Sequence, residues 1–297
     1  MGYLFVIAAM LIWGSVGIFG RWADQPATVI VFYRVVSAFF VLGLFQVVRG
    51  GGLRRAWQEA AGQYGWVVFG GIVLALNWIF FFQAVTLTSM ANAVLSYYVA
   101  PVLVMLLAPL LLKEKLEKRT LFYVGLAFLG TLIMNPLGDD VGGDHLLGIL
   151  SGLAAAFFYA MVTISGKKVT GMQAHTLVLW QTGAATLVLL PYLLWQGMVL
   201  PPTSSIAVMV AIGVVHTALA LTLYFIGLSR VKVQHVGVLG YLDPVSAILF
   251  AYLVFAEAPS MGTWIGGTLI LVSSYLILRT KETGGRLDGA KAQDAAT

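Results

Sequence analysis

The amino-acid sequence predicts an all-α polytopic membrane protein with ten transmembrane helices, arranged as two five-helix repeats of inverted topology. Of its 297 residues, 60% are hydrophobic and only 10% are charged, and the mean hydropathy is +0.93. A soluble domain carries about 25% charged residues, so this chain has too few to cover a surface that faces water. Long apolar runs also follow one another with short polar breaks, and a spanning helix needs roughly 20 such residues. Most of the chain is therefore expected to lie in lipid.

Proline, glycine and clusters of charge divide the chain into its predicted spans. The shortest division is "LTSM" at 87–90, between the third and fourth spans. The first span lacks a basic flank and a small-residue cleavage site, so we interpret it as a retained helix and not as a signal peptide. The spans are predicted at 3–20, 27–48, 64–86, 90–112, 119–136, 147–166, 175–196, 204–227, 234–256 and 262–279.

The basic residues lie in short loops on one side of the predicted spans. Fifteen of the 17 Lys and Arg residues share the side of the N-terminus, Arg21 falls on the other side, and Arg34 lies within the second span. Loops rich in Lys and Arg stay in the cytoplasm. We therefore predict a multi-pass protein of the bacterial inner (cytoplasmic) membrane with both termini cytoplasmic. The composition of 281–297 predicts a disordered cytoplasmic tail.

The sequence lacks the motifs of several other protein classes. It contains no cysteine, which excludes disulfides and thiolate metal sites. It has no glycine-rich phosphate loop, no H-E-x-x-H and no G-x-S-x-G. We expect no enzymatic activity, no cofactor, no metal and no nucleic-acid partner. The expected partners are a small-molecule metabolite and the lipid bilayer, with the protein itself a monomer or a weak homodimer.

An internal repeat links the two halves of the chain, 1–140 and 141–280. A shift of 143 residues places Tyr98 and Pro101 of "SYYVAPV" (96–102) on Tyr241 and Pro244 of "GYLDPVS" (240–246), and near the start of each half a shift of 146 residues pairs Trp13 with Tyr159. Each half holds five predicted spans, and because five is odd the second half must enter the membrane from the opposite side. Inverted repeats recur in secondary transporters, where rocking gives alternating access to a midplane site. The alternative is an old duplication that now serves only as scaffold.

The sequence resembles the EamA-type members of the drug/metabolite transporter superfamily over roughly residues 3–280. The resemblance rests on the ten spans, the two repeats, and "AP…LLLKEKL" (100–116) echoed by "DP…LVFAEAP" (243–259). Glu114, Glu257 and Arg34 match residues that recur in that family. The resemblance implies export of a small polar or zwitterionic metabolite, amino acids included, through a cavity lined mainly by spans 1, 3, 4, 6, 8 and 9.

Two other functions stay open at this point. One is transport of an organic cation or drug, with Asp243 and an aromatic cavity forming the site, because aromatic faces suit cations. The other, from a different class, is a membrane sensor or enzyme that does not transport. Competition by zwitterions or by quaternary amines separates the first two functions, and flux into proteoliposomes separates both from the third.

Ionisable residues at membrane depth are costly and usually face a bundle interior or a water-filled cavity. Asp243 precedes Pro244 in the middle of the ninth span, and its repeat mate is Ala100. It has two interpretations: a fixed ion pair with Arg34, or a carboxylate that binds a proton or the amine of a substrate. His216 could carry a proton or only donate a hydrogen bond, whereas His235 is expected near the cytoplasmic surface. Pro101 and Pro244 are predicted hinges.

Polar and aromatic side chains within the spans complete the candidate site. Pairs at i, i+4 spacing share a helix face, although Asn and Ser can also hold helices together by interhelical hydrogen bonds. Aromatic residues with a few polar groups are typical of small-molecule pockets. The candidate substrate-binding residues are Trp13, Asn77, Trp78, Phe81, Asn92, Ser96, Tyr98, Tyr159, His216, Tyr224, Tyr241 and Asp243.

Overall fold

The computed structural model describes residues 1–50, 52–134, 144–197 and 200–280, and all regular secondary structure in these ranges is helical. A π-helical segment, Gly213–Leu219, joins α11 to α12. The helices are α1 Gly2–Gly14, α2 Val16–Ala23, α3 Ala27–Val48, α4 Gly52–Glu59, α5 Tyr64–Leu87, α6 Met90–Tyr97, α7 Ala100–Leu112, α8 Lys118–Met134, α9 His145–Lys168, α10 Ala174–Trp195, α11 Thr203–Ile212, α12 Ala220–Arg230, α13 Val233–Gly240, α14 Leu242–Phe255 and α15 Met261–Arg279.

Nine helical stretches within the described residues are long and apolar enough to cross a membrane. They coincide with the predicted spans except the fifth, 119–136, which corresponds to α8, a helix of 17 residues that ends beside an undescribed segment. The predicted helical membrane architecture is confirmed, whereas the tenth span and the inverted relation of the halves stay predictions. The stretch between the fifth and sixth predicted spans, 137–146, lies mostly outside the described residues, and the predicted tail, 281–297, lies wholly outside them. The nine stretches are Gly2–Ala23, Ala27–Val48, Tyr64–Leu87, Met90–Leu112, His145–Lys168, Ala174–Trp195, Thr203–Arg230, Val233–Phe255 and Met261–Arg279.

The fourth and ninth spans are each broken just before their proline. The eight-residue helix α6 ends at Tyr97, and its repeat mate α13, also of eight residues, ends at Gly240. Proline has no backbone N–H, and it also disfavours a helical conformation in the residue before it. The Tyr241 hydroxyl donates a hydrogen bond to the backbone carbonyl of Tyr98 at 3.0 Å. The two breaks therefore lie against each other inside the bundle.

Two further irregularities have no signal that we identified in the sequence. The first span is interrupted at Ser15, whose hydroxyl donates to the Ile12 carbonyl at 2.8 Å, a bond that competes with the helix. The π-helical segment interrupts the eighth span. The two irregularities meet, because Ser15 Oγ lies 2.9 Å from Nε2 of His216 in the π-helical segment.

The first helix of each half packs on the end of the third span in the other half. A Cβ added to Gly2 would lie 2.7 Å from Cγ1 of Val231. A Cβ added to the repeat mate of Gly2, Gly148, would likewise lie 2.7 Å from Cβ of Thr88, which is the mate of Val231. Glycine is needed at both places, since any side chain would displace the facing residue. The two contacts are related by exchange of the halves.

Helices α8 and α15 cross with the same reciprocity. A Cβ on Gly130 would lie 2.6 Å from the carbonyl oxygen of Gly266. A shift of 143 residues converts this pair into Ser273 and Tyr123, and the Ser273 hydroxyl donates to the Tyr123 carbonyl at 2.6 Å. The shift therefore converts one contact of this crossing into another, which is in line with the predicted repeat.

We expect Gly266→Ala to lower the melting temperature of the purified protein far more than Gly267→Ala. The added Cβ at 266 would fall on the backbone carbonyl of Gly130, so α15 would have to move away from α8. Overpacking of this kind costs about 1–3 kcal/mol. A Cβ at 267 meets nothing within 4 Å, and replacing a helical Gly by Ala gains up to about 1 kcal/mol. Equal melting temperatures for the two variants would contradict the close helix crossing.

The two ends of the bundle are distinguished by their contacts. At the end that we call the N-terminal face, the Tyr3 hydroxyl lies 2.7 Å from Nδ1 of His235. At the other end, the opposite face, Nη1 of Arg21 donates to Oε1 of Glu257 at 2.6 Å. This ion pair lowers the pKa of the Glu257 carboxyl below its ordinary value, chiefly through the hydrogen bond from Arg21.

Candidate functional site

A cavity of about 430 Å³ lies in the middle of the bundle. Towards the opposite face its lining reaches Gly17 and Ala27, which are both exposed. Towards the N-terminal face its lining stops at Met10 and Gly240, and residues beyond them, such as Val6, are fully buried. Small-molecule sites in proteins enclose about 300–1,000 Å³. The cavity is therefore large enough for a metabolite and leads from the midplane towards the opposite face.

Asp243 lines this cavity at the start of α14. It is the second residue of that helix, directly after the break at Tyr241. The first turn of a helix has free N–H groups and a positive dipole end, and both favour a carboxylate. Among the described residues, no side chain or backbone group donates a hydrogen bond to the Asp243 carboxylate. The helix break thus places an acid at the cavity wall and leaves its oxygens available.

Arg34 also lines the cavity, and the structure does not pair it with Asp243. Its Nε donates to Oγ1 of Thr217 at 2.9 Å, and its guanidinium carbon lies 5.0 Å from the centre of the Trp78 ring. The ion pairs of the described residues lie elsewhere, and Arg34 and Asp243 do not come within 4.0 Å of each other. Of the two interpretations of Asp243, the fixed ion pair with Arg34 lacks the contact that it requires.

Aromatic rings form much of the wall between these two charges. The ring centres of Trp13 and Tyr224 lie 5.3 Å apart, and the Tyr97 ring lies 4.9 Å from Phe81 and 6.0 Å from Tyr159. Tyr97 lines the same cavity as Asp243 and Arg34. The wall therefore presents ring faces and phenolic hydroxyls to whatever occupies the cavity.

The polar ends of several lining side chains are held by the backbone or by a neighbouring hydroxyl. Trp13 Nε1 donates to the carbonyl of His216 at 2.8 Å, and Asn77 Nδ2 donates to the carbonyl of Ala155 at 2.8 Å. The hydroxyl of Tyr224 lies 2.8 Å from Oγ1 of Thr163. These bonds fix the orientation of the wall before any ligand enters.

Ten of the side chains singled out from the sequence line the cavity, and five do not. The ten are Trp13, Arg34, Asn77, Trp78, Phe81, Tyr98, Pro101, Tyr159, Tyr224 and Asp243. The five residues that lie outside the lining are Asn92, Ser96, His216, Tyr241 and Pro244. The roles of these residues in binding, and of the prolines as hinges, stay predictions.

The five residues outside the lining are held in helix contacts. Ser96 donates to the Asn92 carbonyl at 2.8 Å and lies against α9, where a Cβ on Gly152 would collide with its hydroxyl. This placement matches the interhelical alternative for that pair. Tyr241 is fully buried at the helix breaks, and His216 is fully buried with its Nε2 at 2.9 Å from Oγ of Ser15. Pro244 is buried in the first turn of α14.

Tyr97 also lines the cavity, although it is not among the candidate substrate-binding residues chosen from the sequence. It follows Ser96 directly, yet it faces the cavity while Ser96 faces α9. The repeat could have indicated Tyr97, because the shift of 143 residues pairs Tyr97 with Gly240 and both residues line the cavity.

A cluster of charged and polar side chains closes the N-terminal face. Glu117 contacts Lys232 and, at 3.3 Å, Nε2 of His235, which also contacts Tyr3. His235 lies at this face, but its side chain is only 1% exposed because these partners surround it. Burial raises the pKa of the Glu117 carboxyl, but Lys232 and His235 outweigh that effect and hold the pKa below its ordinary value. Glu117 therefore stays ionised and paired at neutral pH.

The two ends of the cavity differ at positions that the repeat makes equivalent. Towards the N-terminal face, a Cβ on Gly237 of α13 would lie 3.8 Å from Cγ1 of Val104 on α7. The repeat mates of these residues are Val94 on α6 and Ala247 on α14, and both line the cavity. Helices α7 and α13 are therefore in contact at a place where their mates have the cavity between them.

The sequence profile of the EamA-like transporter family matches residues 1–135 and 146–279. The chain belongs to this family. The match covers most of the chain, and its two ranges are of nearly equal length. As a member of the EamA-like family, the protein is an integral membrane transporter and not an enzyme.

Individual relatives of this EamA-like chain are similar over almost its whole length. The uncharacterized transporter YxxF of Bacillus subtilis is 26% identical over 92% of this chain and 88% of its own. The pseudopaline exporter CntI of Pseudomonas aeruginosa is 27% identical over 88% of this chain and 89% of its own. A solved crystal structure with 22% sequence identity superposes with a TM-score of 0.82 and covers 93% of this chain and 96% of that one. These similarities support the fold and the class of transporter, while the substrate has to be argued from the cavity.

Proposed function

We propose that the protein is a secondary active transporter that moves a small polar or zwitterionic metabolite, amino acids included, outward across the inner membrane by alternating access. The observation that carries the proposal is a central cavity with an unpaired carboxylate and a separate guanidinium on an aromatic wall. A ligand with both a positive and a negative end complements such a wall better than one with a single charge. The outward direction follows the resemblance and is in line with the similar protein named an exporter.

The proposal includes ten spans in two inverted repeats, 1–140 and 141–280. It is supported by the two matched ranges of the family profile and by the reciprocal contacts of α1 with α12 and of α5 with α9. The crossing of α8 and α15 adds the same two-fold signature. Inverted repeats of this kind favour a site at the midplane that is reached alternately from each side.

The proposal also assigns an orientation and an access state. The N-terminal face is where most basic loops converge, which favours the cytoplasm for this face and for both termini. In that orientation the cavity opens outward, and the α7–α13 contact closes it from the cytoplasm. Transport then requires that the N-terminal face opens while α6 and α14 come together.

The test is flux into proteoliposomes that contain the purified protein. We expect uptake of at least one zwitterion from a panel of labelled amino acids and small polar metabolites, saturable and absent from protein-free vesicles. Flux of an organic cation alone, competed by quaternary amines and not by zwitterions, would favour the second candidate. That candidate has its own support, since Asp243 lies beside aromatic faces that attract cations. No flux for either class would contradict both.

A further inference from the structure

Arg34 is held in place by two different contacts. Its Nε donates to Oγ1 of Thr217 at 2.9 Å, and its guanidinium carbon stands 5.0 Å from the centre of the Trp78 ring. Thr217 is fully buried and belongs to the π-helical segment. A Cβ on Gly213, at the start of that segment, would lie 2.6 Å from the Arg34 carbonyl oxygen. The π-helical turn therefore packs directly on α3, which brings Thr217 to Arg34.

The contacts of Arg34 leave most of its hydrogen-bond donors unused. A guanidinium has five N–H donors in a fixed fork, and Thr217 accepts only from Nε. No carboxylate of the described ranges comes within 4.0 Å of it, and its two Nη atoms make no hydrogen bond to the described part of the chain. An unpaired cation inside a membrane protein is costly unless water or a ligand solvates it. Since Arg34 lines the cavity, its solvation comes from the cavity contents.

We propose that Arg34 is an anion subsite that binds the carboxylate of the transported metabolite through its Nη atoms, with Thr217 and Trp78 positioning the guanidinium. This inference rests on the proposed transport function and names the chemical group that the substrate must carry. Arginine pairs with carboxylates through two parallel hydrogen bonds, and stacking on an aromatic ring leaves that fork free. Thr217 is a positioning residue, because it acts on the substrate only through Arg34.

The subsite also accounts for the separation of the two charges in the cavity. Had Arg34 and Asp243 bound each other, both would be neutralised before a substrate arrived. Arg34 and Asp243 line the same cavity without touching each other, so one ligand with two charged ends can contact both. A carboxylate at Arg34 and an ammonium group at Asp243 together define an amino-acid-like substrate rather than a simple organic cation.

The test uses chemical modification of Arg34 by phenylglyoxal in the purified full-length protein, read by mass spectrometry of the peptide that contains residue 34. Three matched probes are compared at equal concentration: 3-phenylpropionate, 3-phenylpropanamide and 3-phenylpropylamine. We expect 3-phenylpropionate to slow modification of Arg34 by about tenfold, in line with a hydrogen-bonded charged partner, and the neutral amide to have little effect. Arg54, exposed on α4, should react at one rate with all three probes and serves as the internal control.

Thr217→Val and Thr217→Ser separate positioning from packing. Valine keeps the shape and removes the acceptor, so protection of Arg34 by 3-phenylpropionate should weaken by roughly a factor of ten, whereas serine should keep it. If Thr217→Val does not fold, the comparison of the three probes on the wild-type protein still decides the subsite.

Two results would overturn the inference. One is an Arg34 that phenylglyoxal does not modify while Arg54 reacts. The other is equal protection by the carboxylate and the amide. Either result, obtained together with saturable flux into proteoliposomes, would remove the anion subsite and leave the transporter proposal standing. Selective protection by 3-phenylpropionate without any flux would keep the anion subsite and remove the transporter proposal.

Discussion

Asp243→Asn is expected to remove transport and to leave a folded, monodisperse protein. The amide keeps the size of the side chain but loses the negative charge that we propose receives the amine of the substrate. A hydrogen bond to a charged group contributes about 1.5–3 kcal/mol, so transport at limiting substrate should fall roughly tenfold to hundredfold. Because Arg34 is not paired with Asp243, the substitution leaves no cation stranded and the melting temperature should change little. Flux and melting temperature of the same preparation provide the measurement.

Two further variants make the result decisive. Asp24→Asn is the matched control, because Asp24 is an exposed residue outside the cavity lining, and its left-handed backbone suits asparagine. The double variant Arg34→Gln with Asp243→Asn tests the ion-pair interpretation. Breaking a buried pair costs about 3–5 kcal/mol, and removing both partners is often nearly neutral. Recovery of stability and flux in the double variant would show that the carboxylate is structural.

Composition and the internal repeat were sufficient to predict the framework of the fold. Apolar runs of the right length placed the helices, because lipid leaves little choice but to pair all backbone groups within helices. The shift of 143 residues predicted that Tyr98 and Tyr241 occupy equivalent places, and both lie at the helix breaks that precede Pro101 and Pro244. Depth along a span was also informative: Trp13 and Tyr159, chosen for their central position, both line the cavity.

The direction in which a side chain points was much harder to predict. Each residue turns a helix by about 100°, since there are 3.6 residues in a turn. On α6, Ser96 faces α9 and Asn92 is buried outside the cavity lining, while Val94 and Tyr97 face the cavity. Polarity favoured the first pair, but polar groups also satisfy helix contacts. Without knowing the neighbour of each face, the sequence could not distinguish the two.

The irregular helical segments could not be predicted from the sequence for a different reason. A π-helical turn changes the register of all residues after it, and its position depends on packing with other helices. His216 and Tyr224 were both expected at the cavity, but His216 in the π-helical segment contacts Ser15, and of the two only Tyr224 lines the cavity. The contact of Thr217 with Arg34 depends on the same segment. Hypotheses that depend on helix rotation need the tertiary contacts.

A disulfide between Val104→Cys and Gly237→Cys is expected to abolish transport, and its reduction should restore it. The chain has no cysteine of its own, so the engineered pair reacts alone. A Cβ at 237 lies 3.8 Å from the Cγ1 position of Val104, which the sulfur of a cysteine would occupy. In a disulfide the two Cβ atoms lie about 3.5–4.5 Å apart. A small movement between α7 and α13 would bring the Cβ atoms of residues 104 and 237 to this spacing. The bond would hold α7 and α13 together and keep the N-terminal face shut.

The repeat supplies a matched pair for the other half of the cycle, Val94→Cys with Ala247→Cys. These positions both line the cavity, so oxidation of the resting protein should leave them as free thiols and leave transport intact. During turnover α6 and α14 should approach as α7 and α13 do now, and oxidation should then trap the second pair and stop flux. Each single-cysteine variant controls for the substitution itself. Two results would contradict this movement: transport by the protein with the 104–237 disulfide closed, or a 94–247 pair that never links during turnover. In either case the cavity does not open and close by exchange of the two repeats, and another movement must carry the substrate.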